Sequence, residues 1–192
     1  MPGTPMTPRR LQGLMVALCC LATSGCLGTP ANVEPIANFE LDSYLGTWHE
    51  IARLDHKFER DLEQVTATYT LRDDGSVNVL NRGWNKRTKQ WEQAQGRAYL
   101  VGGANIGHLK VSFFGPFFAS YVIFEKDPSS TDYAFVSGPN HNYLWLLSRT
   151  PTINAELMQQ FLEQAWKRGF ATEDLIWLST PAITNEQGTT RQ

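Results

Sequence analysis

The sequence predicts an all-β fold, an antiparallel barrel or sandwich of eight strands with one helix packed outside it. Three observations carry this expectation. Apolar and polar residues alternate in "VTATYTL" (Val65, Ala67, Tyr69 and Leu71 against Thr66, Thr68 and Thr70) and in "HLKVSF" (Leu109, Val111 and Phe113 against His108, Lys110 and Ser112). That is the period of a strand with one face in water. Eight such runs follow one another through short, turn-forming connections, the spacing of a meander. Only one stretch, late in the chain, has a clear helical period.

The elements take their places in order. Arg9 and Arg10 precede a mostly apolar run from Leu11 to Ala22, which gives way to Thr23, Ser24 and Gly25. A basic start, a short apolar middle and small residues at the end compose a secretory leader, and the run is too short to span a bilayer as a helix. Gly13 and the Cys19-Cys20 pair are poor material for the alternative, a buried core helix. The leader is therefore set at residues 1–25. "Thr23-Ser24-Gly25-Cys26" resembles the lipobox of bacterial lipoproteins, with Thr23 where those usually carry Leu. The resemblance implies that the Cys26 thiol takes a diacylglyceryl group. Cysteine counting agrees, because losing Cys19 and Cys20 with the leader would leave Cys26 a lone thiol in an oxidising compartment. Ordinary cleavage with a free Cys26 is the rival reading. Residues 26–38, Pro-rich and unpatterned, read as a lipidated tether. One domain is expected over 39–180, and residues 181–192 read as a loose polar tail.

Within the domain, strands are expected at Trp48–Leu54, Val65–Leu71, Ser76–Asn81, Trp91–Leu100, His108–Phe113, Ser120–Glu125, Tyr133–Ser137 and Tyr143–Ser148. A helix follows. Asn154 suits its N-cap, and Ile153 and Met158 are placed as a hydrophobic staple. Leu157, Phe161 and Ala165 form an apolar stripe, widened by Leu162 and Trp166, that would pack on the barrel wall. Lys167 and Arg168 complement the helix dipole and Gly169 can close the last turn. "DLIWL" (Asp174–Leu178) then reads as a short ninth strand.

Composition excludes several functions. Seventeen basic and nineteen acidic residues leave a net charge of −2, so no field for nucleic acid is implied. His49, His56, His108 and His141 have no metal-ligand spacing, and neither a nucleophile elbow nor a phosphate-binding glycine loop occurs. No metal, cofactor or catalytic residue is expected. An envelope enzyme acting on lipids would need distant residues to converge.

"Leu45-Gly46-Thr47-Trp48-His49-Glu50-Ile51-Ala52-Arg53" resembles the Gly-x-Trp signature that opens the first strand of lipocalins. "Tyr143-Leu144-Trp145-Leu146-Leu147-Ser148-Arg149-Thr150-Pro151" resembles the end of their eighth strand with its arginine. "FERDLEQVTATYTLRDDGSVNV" and "LKVSFFGPF" resemble the bacterial outer-membrane lipocalins in particular. The likeness runs from Phe39 to about Leu178 and implies an eight-stranded up-and-down antiparallel barrel. His49 departs from the usual Tyr, but alternation sets it opposite Trp48 and away from the lumen. The resemblance implies a fatty acid or lysophospholipid as ligand, and storage or transport of lipids for envelope maintenance. With Leu27 after the cysteine, it also implies anchorage in the outer membrane, facing the periplasm. The sequence is compatible with a homodimer.

Strand reversal returns the eighth strand to the end where the first begins. Trp48 and Arg149 would meet there as a closed-end plug, a guanidinium over an indole. The opposite end gathers longer loops, with Lys86, Arg87 and Lys89 on one side and Phe114, Phe117 and Phe118 on another, and function gathers on such loops. Eight strands leave room for side chains or one small ligand. Val65, Ala67 and Tyr69, then Val79, then Ala94, Gly96 and Ala98, then Val111, Phe113, Tyr121 and Trp145, are expected to face inward as an apolar ligand-binding wall with few hydrogen-bonding groups. The rival is a structural envelope protein whose barrel is packed solid. As for the anchor, Cys26→Ser should release the protein from membranes in a fractionation experiment while the barrel stays folded. Retention as firm as wild type would show that something else holds it.

Overall fold

The computed structural model describes residues 28–129 and 132–178; the leader, Cys26 and the polar tail lie outside them. A single turn of helix, α1 (Leu41–Tyr44), precedes strands β1 (Gly46–Arg53), β2 (Leu62–Leu71), β3 (Val77–Asn85), β4 (Gln90–Leu100), β5 (His108–Ser112), β6 (Ala119–Lys126), β7 (Tyr133–Ser137) and β8 (Leu144–Ser148). Helix α2 (Ala155–Lys167), a 3-10 turn and strand β9 (Ile176–Trp177) follow. From β1 to β8 each strand pairs antiparallel with the next, β8 pairs with β1 to close the ring, and β9 adds to β1.

That closure divides β1 in two. Its first half pairs with β2, from Gly46↔Tyr69 to His49↔Thr66, and its other edge pairs with β8 as far as Arg53↔Trp145. Where β2 leaves, β9 takes the vacated edge through Ala52↔Trp177 and Arg53↔Ile176. β3 runs four residues past the expected end at Asn81. Gly83, Trp84 and Asn85 break the alternation in sequence, yet β4 supplies a partner for each down to Asn85↔Gln90. On the outer face of this long hairpin, Trp84 and Trp91 meet edge-on and the Arg82 guanidinium lies 4.0 Å from the Trp91 ring centre.

Two apolar layers result. Trp48, Tyr69, Val79, Ala98, Leu109, Ile123, Val136 and Leu147 fill the inside. Ile51, Val122, Phe124, Phe135 and Leu146 face outward and are covered by Phe161 and Ala165 of α2. The helix keeps its expected caps. Asn154 Oδ1 accepts from the Leu157 N–H at 2.8 Å. Gly169, at φ 88°, ends the last turn while the Phe170 N–H returns to the Ala165 carbonyl, the paired bonding of a Schellman motif.

The segment read as a tether is instead part of the fold from Pro30 onward. Val33 is fully buried in the outer layer. The Ile36 N–H donates to Ile123 O (2.9 Å), Gly107 N–H donates to Ile36 O (2.9 Å), and the Phe39 N–H donates to Asn105 O (2.8 Å). The physical reason is spacing: Val33, Ile36 and Phe39 recur every third residue, too irregular to read as helix or strand, yet Val33 packs in the outer layer while Ile36 and Phe39 pack with the inner one.

At the base, α1 crosses the barrel. Trp48 is wholly buried, and its Nε1–H donates to Tyr44 O at 2.8 Å. The Arg149 guanidinium sits 3.8 Å from the Trp48 ring centre, with Nη1 donating to Thr47 O (3.1 Å) and Nη2 to Ser43 O (2.8 Å). One side chain thus ties α1 and β1 to the end of β8. Arg149→Ala should cost about 1–3 kcal/mol in urea unfolding, because stacking and two carbonyl partners are lost together. A double-mutant cycle with Trp48→Phe should show coupling, and additive losses would overturn the pairing.

Candidate functional site

The register decides which side chains enter the lumen. Directly paired residues share a face, so Tyr69, Val79, Gly96 and Ala98 line up inside, as do Ala67, Asn81 and Ala94. Val111, Phe113, Tyr121 and Trp145 pack with the same inner layer. Several of these stay within reach of solvent: Ala67, Val111, Phe113, Tyr121 and Trp145 are half-buried and Ala94 is exposed. These incompletely buried side chains form a line of inward residues along the lumen. Tyr69, Val79 and Ala98, deeper, are buried. Val65 is buried beside a left-handed residue, Gln64 (φ 52°), where β2 is irregular. It lies over Gly83, so it lines the upper wall.

Two features differ from the expected apolar pocket. The small Ala94-Gly96-Ala98 face does point inward, but the Phe113 ring occupies the space over Gly96. A Cβ on Gly96 would lie 2.9 Å from two Phe113 ring carbons. The second difference is polarity. At the base, Tyr121 Oη meets Tyr44 Oη (2.7 Å) and Tyr69 Oη (2.8 Å). Burial raises the pKa of all three hydroxyls, so they stay neutral donors and acceptors.

Higher up, a bulge between Glu50 and Ala52 turns Arg53 inward, where strict alternation would turn it out. Arg53, 1% exposed, donates to Glu50 Oε1 (2.6 Å) and to the carbonyls of Glu59 (2.6 Å) and Leu62 (3.1 Å). Glu59 Oε2 in turn accepts from Trp145 Nε1 (3.2 Å) and lies 3.0 Å from His56 Nε2. The His56 ring stacks on Phe58 and touches Tyr143 and Trp145. Arg53, Glu50, His56 and Glu59 escaped the sequence reading. They recur every third residue from Glu50 to Glu59, a period belonging to neither helix nor strand, and nothing in it announces burial.

The rim carries the remaining residues. Lys86, Arg87 and Lys89 are exposed on the β3–β4 turn, where Asn85 Oδ1 accepts from the Arg87 and Thr88 N–H groups. Arg87 Nε donates to Asp61 Oδ2 (3.2 Å), linking this turn to the β1–β2 loop. Phe117 is 78% exposed on the β5–β6 loop. Among the described residues no three His, Cys, Asp or Glu side chains gather as a metal site.

The chain matches the lipocalin-like domain family over residues 39–180, in agreement with its closed eight-stranded barrel and outer helix. The chain is a lipocalin. This lipocalin is 52% identical over 168 residues to the outer membrane lipoprotein Blc of Vibrio cholerae, covering 88% of this chain and 98% of that one. It is 45% identical over 177 residues to the outer membrane lipoprotein Blc of Escherichia coli (strain K12), covering 92% and 97%. Its fold matches that of insecticyanin from the tobacco hornworm Manduca sexta, with a TM-score of 0.63 at 20% identity over 81% of this chain and 88% of that one. Lipocalins are typically ligand-binding proteins without catalytic activity.

Glu50 is a buried carboxyl whose titration links the fold to pH. Burial, and then the Glu59 carboxylate beside it, push its pKa well above the ordinary 4.5, against the pull of Arg53. A carboxyl with a raised folded pKa stabilises the fold fully below its unfolded value and loses that contribution as pH climbs through the folded one. Glu50→Gln should therefore flatten the loss of stability above pH 4.5, read from urea midpoints taken across the range. An unchanged pH profile would show that Glu50 titrates no differently folded than unfolded.

Proposed function

We propose that the lumen holds one long-chain amphiphile, a fatty acid or lysophospholipid, and that the protein stores or carries such lipids at the outer membrane, anchored through Cys26. The supporting observation is the line of inward apolar residues, Ala67, Ala94, Val111, Phe113 and Trp145, which the protein's own side chains leave incompletely covered. The acyl chain would lie along these residues, above the tyrosine hydroxyls, with its head at the rim among Lys86, Arg87 and Lys89. About sixteen methylenes at roughly 0.8 kcal/mol each give a gross gain near 13 kcal/mol. Ordering and association costs reduce that to micromolar or nanomolar affinity. The names of the two Blc relatives support the outer-membrane location. In this reading Trp48 and Arg149 serve stability and do not touch the lipid.

A barrel packed solid has one observation in its favour, the Phe113 ring over Gly96. Titration with fatty acids of increasing length separates the two readings. Tryptophan fluorescence should change on binding, the signal should shrink in Trp145→Phe, and affinity should rise with each methylene added. Binding that ignores chain length, or no binding by any length, would overturn the proposal.

A further inference from the structure

The described chain begins beside the open end, not the base. Every odd-to-even strand connection lies at that end: residues 54–61, 86–89, 113–118 and 138–143. Helix α2 starts near the base after Arg149 and runs back toward the rim. There the His141 Nε2–H is shared between the Arg168 carbonyl (2.9 Å) and the Ala31 carbonyl (3.2 Å). From Ala31 the segment descends the outer wall past Ile36 to Phe39 and Asn105 at the base. Cys26 precedes Ala31 by five residues, a reach of at most about 18 Å. The strands, tilted as in any closed barrel, hold base and rim roughly 25 Å apart. A Cys26 fixed in a bilayer can therefore bring the rim to the surface, but cannot hold the barrel base-down.

The rim has the chemistry of a bilayer interface. Phe114 and Phe117 are 80% and 78% exposed at the tip of the β5–β6 loop, and Phe58 is 59% exposed on the β1–β2 loop. Arg60 pairs with Asp55 and Arg87 with Asp61. That leaves Lys57, Lys86 and Lys89 exposed with no ion-pair partner among the described residues, three cations on the loops of this end. Large apolar side chains set among basic residues are the composition of surfaces that settle into anionic headgroups.

We propose that the open end is a membrane-docking face: the anchored barrel sits mouth-down, with Phe114 and Phe117 in the interface of the bilayer that holds Cys26. A lipid would then pass between bilayer and lumen without crossing bulk water, and Phe113, next to Phe114 on the same loop, connects the two. The inference rests on the anchor reading of Cys26.

The test uses the full chain made in cells that lipidate it, then reconstituted into phosphatidylcholine–phosphatidylglycerol vesicles. With Cys26 acylated and the leader removed, one introduced cysteine carries an environment-sensitive dye. Three positions serve: Gly115→Cys at the rim, where a Cβ meets nothing within 4 Å, Asp73→Cys at the base, and Glu163→Cys on the exposed face of α2. Quenching by spin-labelled lipid should be at least about threefold stronger at 115 than at 73 or 163. Vesicle-bound protein quenched at 115 no more than at 73 or 163 would overturn the docking and leave the anchor standing. Protein that does not float with vesicles would overturn the anchor reading, and the docking with it.

Discussion

Arg53 holds the upper half of the barrel because a bulge of one residue in β1 turns its guanidinium into the wall. Its donors reach Glu50 on its own strand and the carbonyls of Glu59 and Leu62 across the β1–β2 loop. A buried cation with these partners is stable only while all of them remain in place. The loop therefore cannot leave the rim without stranding a charge. Through Glu59 the same network fixes Trp145 and His56, so the bulge orders the mouth of the lumen as Arg149 orders its base.

The split of β1 between β2 and β9 follows from the same constraint. To bring Glu59 and Leu62 over Arg53, the chain must leave the sheet after β1 and rejoin it late. β2 thus meets β1 only below His49. The unpaired edge beside Ala52 and Arg53 would expose backbone groups, and Ile176 and Trp177 cover it.

What could be read from the sequence divides along this line. Period-two alternation was plainest in β2 and β5, and the helix caps at Asn154 and Gly169 followed from local chemistry. Inward orientation of Ala94, Gly96 and Ala98 was also legible. A bulge leaves no trace in composition, however, so Arg53 reads as a surface residue, and the buried charges with it. Likewise the hydroxyls of Tyr69 and Tyr121 were counted as apolar wall, since their meeting with Tyr44 depends on α1, a single turn too short to show a period. The Phe113 ring over Gly96 belongs to the same class. Alternation tells which way a side chain points, not what crosses the lumen to meet it.

The closure of β1 onto β8 has a consequence for how the chain reaches this state. Glu50 pairs with Leu147, and Thr47 accepts from Arg149 about a hundred residues away, while the intervening hairpins are each local. Folding rates fall as native contacts become more distant in sequence, because the entropy of closing the intervening loop is lost before the contact repays it. The β2–β3 and β3–β4 hairpins can form early from neighbours alone. The seam between β1 and β8 forms last and makes the ring all-or-none: until it shuts, β1 and β8 each present an open edge, and the growing sheet is vulnerable to pairing with another copy. Residues that speed the meeting of Trp48 with Arg149 therefore shorten the interval in which the chain can aggregate.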